Sequence, residues 1–228
     1  MSRPALFESA TPEYVKARAE LLSAERRLRE LGEQVAARRR ALPPGPELDD
    51  DPPLAALDGS PTRLSGLFGD HHTLLVYNMM FDEDWPEPCP LCSMWVDGID
   101  AVTPHLLERT AVAVMAPAGP ARLAEVARRR QWRWVPVYST RPGDLTDRLG
   151  LRAHPGDLEP VVTVYDRSDG RVRISWQGSA MLSDPGDEPY QPGDGGDARG
   201  LDLLCATWSL LDLLPQGRGD WYPSRPAR

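Results

Sequence analysis

Two cysteines three positions apart, Cys89 and Cys92 in PEPCPLCSMW, are the residues of this chain best suited to chemistry. At that spacing across a first helical turn they share one face, near enough to close a disulfide without large backbone movement. A thiolate at a helix N-terminus meets unpaired N–H groups and the positive end of the helix dipole, which lower its pKa and raise its reactive fraction. Cys89, the outer of the two, is the expected nucleophile and Cys92 the resolving thiol. Pro90 suits the first helical position, where a missing N–H costs nothing. The carboxylates of Asp82, Glu83, Asp84 and Glu87 crowd the preceding turn and oppose the dipole. The expectation is a reducing dithiol rather than a strong oxidant.

The elements around the pair must deliver it. Residues 74–81, LLVYNMMF, form a short continuous apolar run that suits a strand buried on both faces. An acidic, proline-rich turn follows, then Cys-Pro-Leu-Cys, then residues 93–107 with apolar side chains at helical spacing. TAVAVMA at 110–116 reads as a second buried strand, 120–130 as a helix with Leu123, Val126 and Ala127 inward, and 134–138 as a short strand. RPGDLTDRLGLRAHPGDLEP holds at most one helical turn, and 161–165 with 171–176 make a hairpin. A Gly/Asp/Pro-rich loop then leads to a last helix over 201–214. Alternating β and α units with a closing hairpin predict an α/β domain: a central mixed sheet flanked by helices, with the cysteines at the carboxyl end of a central strand.

Ahead of that domain, Thr11 is the expected N-cap and Pro12 the first residue of a helix running to about Arg40. Tyr14, Ala17, Leu21, Ala24, Leu28, Leu31 and Val35 fall at alternating steps of three and four, a narrow coiled-coil-like seam. Packing on its own domain is the plainer reading of that seam; a homodimer through this N-terminal helix is the sharper one. Residues 42–61, with PPGP and DDDPP, read as a linker or irregular loop, and LSGLFGD as a short helical turn ended by Gly69. The expected organisation is 1–61 helix and linker, 62–218 the α/β domain and 219–228 a tail.

Composition narrows the function. Of 228 residues, 26 are basic and 34 acidic, a formal net charge of -8 that argues against nucleic acid or an anionic membrane surface as partner. No stretch approaches the roughly 20 apolar residues of a membrane span. MSRPALFESATPEY lacks the apolar core of a secretory signal, so the expected compartment is the cytoplasm. Three cysteines, two of them in one Cys-Xaa-Xaa-Cys, do not make a disulfide scaffold; in a reducing compartment redox or metal chemistry is expected. For zinc, Cys89 and Cys92 would need His71 or His72, yet adjacent histidines point apart in a strand and no second knuckle completes a site. The run Asp49, Asp50, Asp51 reads as surface rather than a cation site. No glycine fingerprint follows a strand, so no nucleotide or flavin cofactor is expected and electrons must come from another protein or a small thiol. Cys205, in LLCATW, reads as an inert buried thiol; His105 reads as packing or surface and His154 as loop.

LFGDHHTLLVYNMMF, CPLCSMWVDGID, PHL, QWRWVPVYS and ARGLDLLCATWSLLDLLPQGR resemble a bacterial thioredoxin-like family catalogued as domain of unknown function 899, over about residues 14–218. The resemblance implies a thioredoxin fold and a thiol–disulfide activity, with a disulfide-bearing protein or small thiol as substrate and an external reductant. It implies a cis-proline beside the dithiol, for which Pro160 in LEPVVTVYD holds the matching position; an ordinary trans proline opening a strand is the plainer alternative. It also implies a buried group on the central strand at Tyr77 or Asn78, where thioredoxins place a carboxylate. Neither is one, leaving water or Asp97 for proton transfer. Trp85 and Trp95 flank the pair and could form a shelf for an apolar or aromatic substrate, though Trp is also core filler. A peroxidase is the nearer rival, but peroxiredoxins carry Thr three residues before the attacking cysteine, where this chain has Pro86. A thioredoxin-like binding or scaffold protein is the non-catalytic alternative.

Overall fold

Apolar runs of six residues alternating with amphipathic helices leave the chain one economical arrangement, a sheet with a packed layer on each face. The computed structural model describes residues 9–152, 158–179 and 206–215. It separates into two compact units, Met1–Pro43 and Pro44–Arg228.

The first unit is a helix, α1 (Pro12–Arg40). Thr11 caps it, its hydroxyl oxygen accepting from the Tyr14 N–H at 3.2 Å, with Pro12 at the first position and Arg38, Arg39 and Arg40 at the negative end of the dipole. None of its residues is buried. Tyr14, Leu21, Leu28 and Leu31, expected on the seam, are 51–63% exposed.

The second unit holds a seven-stranded sheet. β1 (Pro53–Ala56) and β2 (Pro61–Arg63) form a hairpin; a 3-10 turn (Leu64–Phe68) ended by Gly69 at φ 52 leads into β3 (Thr73–Asn78). Then follow α2 (Pro90–Leu106), β4 (Ala111–Ala116), α3 (Pro120–Arg130), β5 (Val137–Ser139) and the single turn α4 (Leu145–Arg148). The hairpin β6 (Val161–Asp166) and β7 (Arg173–Ser179) and the short α5 (Ala206–Leu211) complete it. The strand order is β2-β1-β5-β4-β3-β6-β7, with β3, β4 and β5 parallel and the rest antiparallel. This is the expected central mixed sheet flanked by helices.

Strand alternation sorts β3 between two cores. Leu74 and Val76 face Phe68, Leu145 and Tyr165, while Tyr77 faces the layer of α2 and α3 with Trp95, Val96 and Leu123. Every residue of β4 is buried, as a central strand covered on both faces requires.

One boundary differs from the expectation. Residues 44–61 belong to the sheet unit, not to a linker. Ile174 N–H donates to the Pro46 carbonyl and Leu48 N–H to Val172, both at 2.9 Å, so this segment runs along the free edge of β7. Gly45 is needed there, because a Cβ would stand 2.1 Å from the Ile174 oxygen. At the opposite edge β1 pairs with β5, and Leu54 is fully buried. Strands of four and three residues that begin with Pro carry almost no periodicity, which hid them. The last helix is described only from Ala206, so residues 201–205 with Cys205, the tail at 219–228 and His154 lie outside the described residues.

Candidate active site

The site forms where the chain leaves β3. Met79 N–H still bonds across to the Met115 carbonyl at 2.8 Å, and one residue later the Met80 carbonyl accepts from the Cys89 N–H at 3.1 Å. The eight-residue excursion, 81–88, thus closes beside its own starting point. Cys89 then serves as the N-cap of α2 and Pro90 as its first residue. The Cys89 carbonyl accepts from both the N–H and the hydroxyl of Ser93, each at 3.0 Å, which fixes the first turn.

The two sulfurs are in unlike surroundings. Cys89 is half-buried and Cys92 fully buried, and the two are thiols rather than a disulfide. Burial pushes the Cys92 thiol well above the ordinary range, and its hydrogen bond with Cys89 and the charge of Cys89 push it the same way. Hydrogen bonding with Tyr77 and with the Met80 backbone works against that rise. Of the two, the inner sulfur is the one whose burial opposes ionisation.

The acidic turn proves to be clamped by arginines. Asp82 pairs with Arg152 at 2.5 Å and Glu83 with Arg141 at 2.7 Å; Glu87 takes both nitrogens of Arg129 at 2.9 and 2.6 Å. Glu83 also accepts from the Gly119 N–H at 2.7 Å, at the start of α3. Arg122 lies over the Phe81 ring, 4.7 Å from its centroid, and donates to the carbonyls of Asp82, Glu83 and Trp85. The expectation that four carboxylates bear on the attacking thiol is corrected: three are ion-paired, and only Asp84 stands exposed without a described ion pair. The arginines come from 37 to 70 residues further along the chain, beyond any local reading.

Other expected residues divide. Trp85 is half-buried against the α2-side core, and Pro90 and Cys89 sit together at the helix start. Trp95 is not a shelf: it is 2% exposed and stacks on Tyr77, ring centroids 5.5 Å apart and planes 22° apart. Pro160 is buried immediately before β6, at the cysteine end of the sheet, since Val161 pairs with Asn78. Its peptide bond is trans, which corrects the cis expectation. The strand simply starts there, its approach fixed by Glu159 N–H bonding to the Leu151 carbonyl at 2.9 Å. Asn78 turns to the other face, donating to the Val161 carbonyl at 3.1 Å and to Thr163 at 3.0 Å. Asp97 is exposed and held by Arg130 at 2.6 Å and the Trp132 indole at 2.8 Å.

Asp100 escaped the sequence reading. One of its carboxylate oxygens accepts the N–H groups of Arg133, Trp134 and Val135 at 2.9, 2.7 and 2.9 Å, pinning the loop before β5 to α2. Two carboxylates three residues apart in WVDGID, facing QWRWV, were the available signal.

His71 and His72 do not stand beside the cysteines. His71 and His72 precede β3 and the cysteines follow its far end, and six strand residues span about 20 Å. Among the described residues no three His, Cys, Asp or Glu side chains converge. In the acidic run, Asp50 pairs with Arg148 at 2.5 Å and Asp51 accepts from the N–H and hydroxyl of Ser65 at 2.9 and 2.6 Å. Among the described residues, no helix is long and apolar enough to cross a membrane.

Comparison with known proteins agrees with this architecture. Residues 4–226 match the family described as "Bacterial protein of unknown function (DUF899)". No curated protein matches the chain. Among solved structures, PrxQ of Xylella fastidiosa, in a mutant form, superposes with a TM-score of 0.52 at 12% identity over 72% of this chain and 93% of that one. The peroxidoxin BcpB of Mycobacterium tuberculosis gives 0.49 at 18% identity, over 72% and 94%. The exposed lipoprotein thioredoxin of Streptococcus pneumoniae gives 0.41 at 18%, over 55% and 87%. The fold is thioredoxin-like.

Proposed function

The chain belongs to this bacterial family of unknown function, and from that premise we propose that it is a thiol–disulfide oxidoreductase working through Cys89 and Cys92. One observation carries the reading: a half-buried cysteine stands at the N-cap position of a helix, and a fully buried partner lies one turn on, where burial opposes its ionisation. Cys89 thiolate attacks a substrate disulfide, forming a mixed disulfide and expelling one substrate thiol. Cys92, once deprotonated, attacks Cys89; the Cys89–Cys92 bond forms, and the electron pair leaves on the second substrate sulfur, which takes up a proton. An external dithiol, protein or small molecule, returns the pair to thiols. The proposed setting is the cytoplasm, with no nucleic-acid or membrane partner. Pro86, three residues before Cys89, offers no hydroxyl to position a peroxide, so a disulfide is the proposed substrate.

The test is trapping. Cys92→Ser incubated with a disulfide substrate accumulates a mixed disulfide at Cys89, read by mass spectrometry, whereas Cys89→Ser forms none. A Cys92→Ser chain that stays unmodified refutes the proposal. Partner binding that persists in the Cys89→Ser, Cys92→Ser double variant would instead favour a binding role.

A further inference from the structure

Helix α1 has no buried residue along its 29 positions. Helices in water draw most of their stability from packing an apolar face, so one built like this needs a surface to lie on. Leu21, Leu28 and Leu31 offer that face, 53, 63 and 55% exposed along one stripe.

The make-up of the stripe selects what covers it. In heptad terms Tyr14, Leu21, Leu28 and Val35 hold position a, while Ala17, Ala24 and Leu31 hold position d. Every a is large, and two of the three d positions are alanine. Two copies in parallel set d against d, Ala17 on Ala17 and Ala24 on Ala24, and leave two layers of the seam unfilled. Antiparallel copies set a against d. Leu21 then meets the partner's Ala24 and Leu28 the partner's Ala17, so that large fills small.

The charges beside the stripe point the same way. Glu20 and Arg27 hold the g edge, Arg18 and Glu25 the e edge. Within one helix Arg18 reaches Glu25 at 3.1 Å, as two residues on one edge can. In the antiparallel register that sets Leu21 on the partner's Ala24, g faces g and e faces e. Glu20 meets the partner's Arg27 and Arg18 the partner's Glu25, each pair occurring twice. A slip of one heptad one way sets Arg27 on Arg27 and Glu25 on Glu25; the other way sets Glu20 on Glu20 and Arg18 on Arg18. A parallel pair sets Glu20 against the partner's Glu25. One register alone satisfies both size and charge.

We propose that α1 pairs with α1 of a second copy in antiparallel orientation, Leu21 opposite the partner's Ala24, with residues 14–31 as the overlap. The contact spans about 27 Å and is isologous, so a two-fold axis closes it at a dimer. Exposed ion pairs add little affinity singly; here they choose the orientation. The pairing holds whether or not the cysteines cycle.

The experiment measures the dimer dissociation constant of the full chain by sedimentation equilibrium, with one substitution to read the orientation. Glu20→Arg, at an exposed position, sets two arginines against each other across the g edge of the antiparallel pair. In a parallel pair the same change relieves a carboxylate repulsion and tightens the dimer. The constant should rise roughly tenfold for Glu20→Arg, and by a similar factor for Arg27→Glu. An equimolar mixture of the two variants restores opposite charges between copies and should return to within about twofold of the parent. A parent chain that is monomeric at every concentration overturns the proposal. So does a Glu20→Arg dimer as tight as the parent or tighter, or a mixture no tighter than either variant alone.

Discussion

Cys92 is fully buried, and the cost of ionising it there has a thermodynamic sign. A thiol whose pKa is raised on folding keeps its proton in the native chain over a pH range where the unfolded chain has lost it. The native state then binds more protons, and stability falls as pH rises through the ordinary thiol range near 8.5. Between pH 8 and 9.5 the reduced chain should lose about 1 kcal/mol more than Cys92→Ser, read from urea midpoints at each pH. Equal losses would show that Cys92 is not held protonated by the fold. At this scale the sequence was half readable. The pair and its order along a helix start follow from spacing alone, and Cys89 and Pro90 stand where spacing puts them. The field on the pair does not, because Arg122, Arg129, Arg141 and Arg152 arrive from distant elements. Trp95 shows the same limit: its place at the motif is local, but its stacking on Tyr77 depends on how α2 lies on β3.

At the scale of elements, two fixtures tie α2 and the loop before it to neighbouring segments. Arg122 ties the loop at 82–88 to α3 through several backbone carbonyls. Arg122→Lys keeps the charge but loses the planar fork, and is expected to cost about 2 kcal/mol and to speed amide exchange across that loop. Exchange at wild-type rates would assign the loop's order to its prolines instead. Asp100 gathers three N–H groups before β5, so Asp100→Ala leaves them unsatisfied; we expect a loss of roughly 2–3 kcal/mol in denaturant unfolding. A loss below about 0.5 kcal/mol would contradict this, since that is the scale of an ordinary surface substitution. α1, α3 and β4 were readable because caps and long periodic or apolar runs mark them. β1 and β2 were not, because their strand character comes from pairing with β5 and with each other.

For the whole molecule, α1 presents an apolar seam with no buried residue, and a second copy of the chain is the partner we propose for it. Alternating large and small residues, Leu21, Ala24 and Leu28, suit knobs-into-holes packing. The intact chain should sediment as a dimer and Leu21→Glu with Leu28→Glu as a monomer; a monomeric parent chain excludes this role. The part of the sheet from β3 to β7 was legible from the order of strands and helices, since right-handed crossovers leave few alternatives. The trans bond at Pro160 was not, because it depends on how the chain approaches β6 from Leu151. The account stands or falls on the dithiol, so the most direct measurement is a redox titration of Cys89 and Cys92 by thiol trapping and mass spectrometry, with metal content assayed on the same sample. We expect one reversible two-electron transition that converts both thiols into a Cys89–Cys92 disulfide, in metal-free protein. Thiols that remain reduced at every reachable potential, or that stoichiometric zinc protects from trapping, would contradict it.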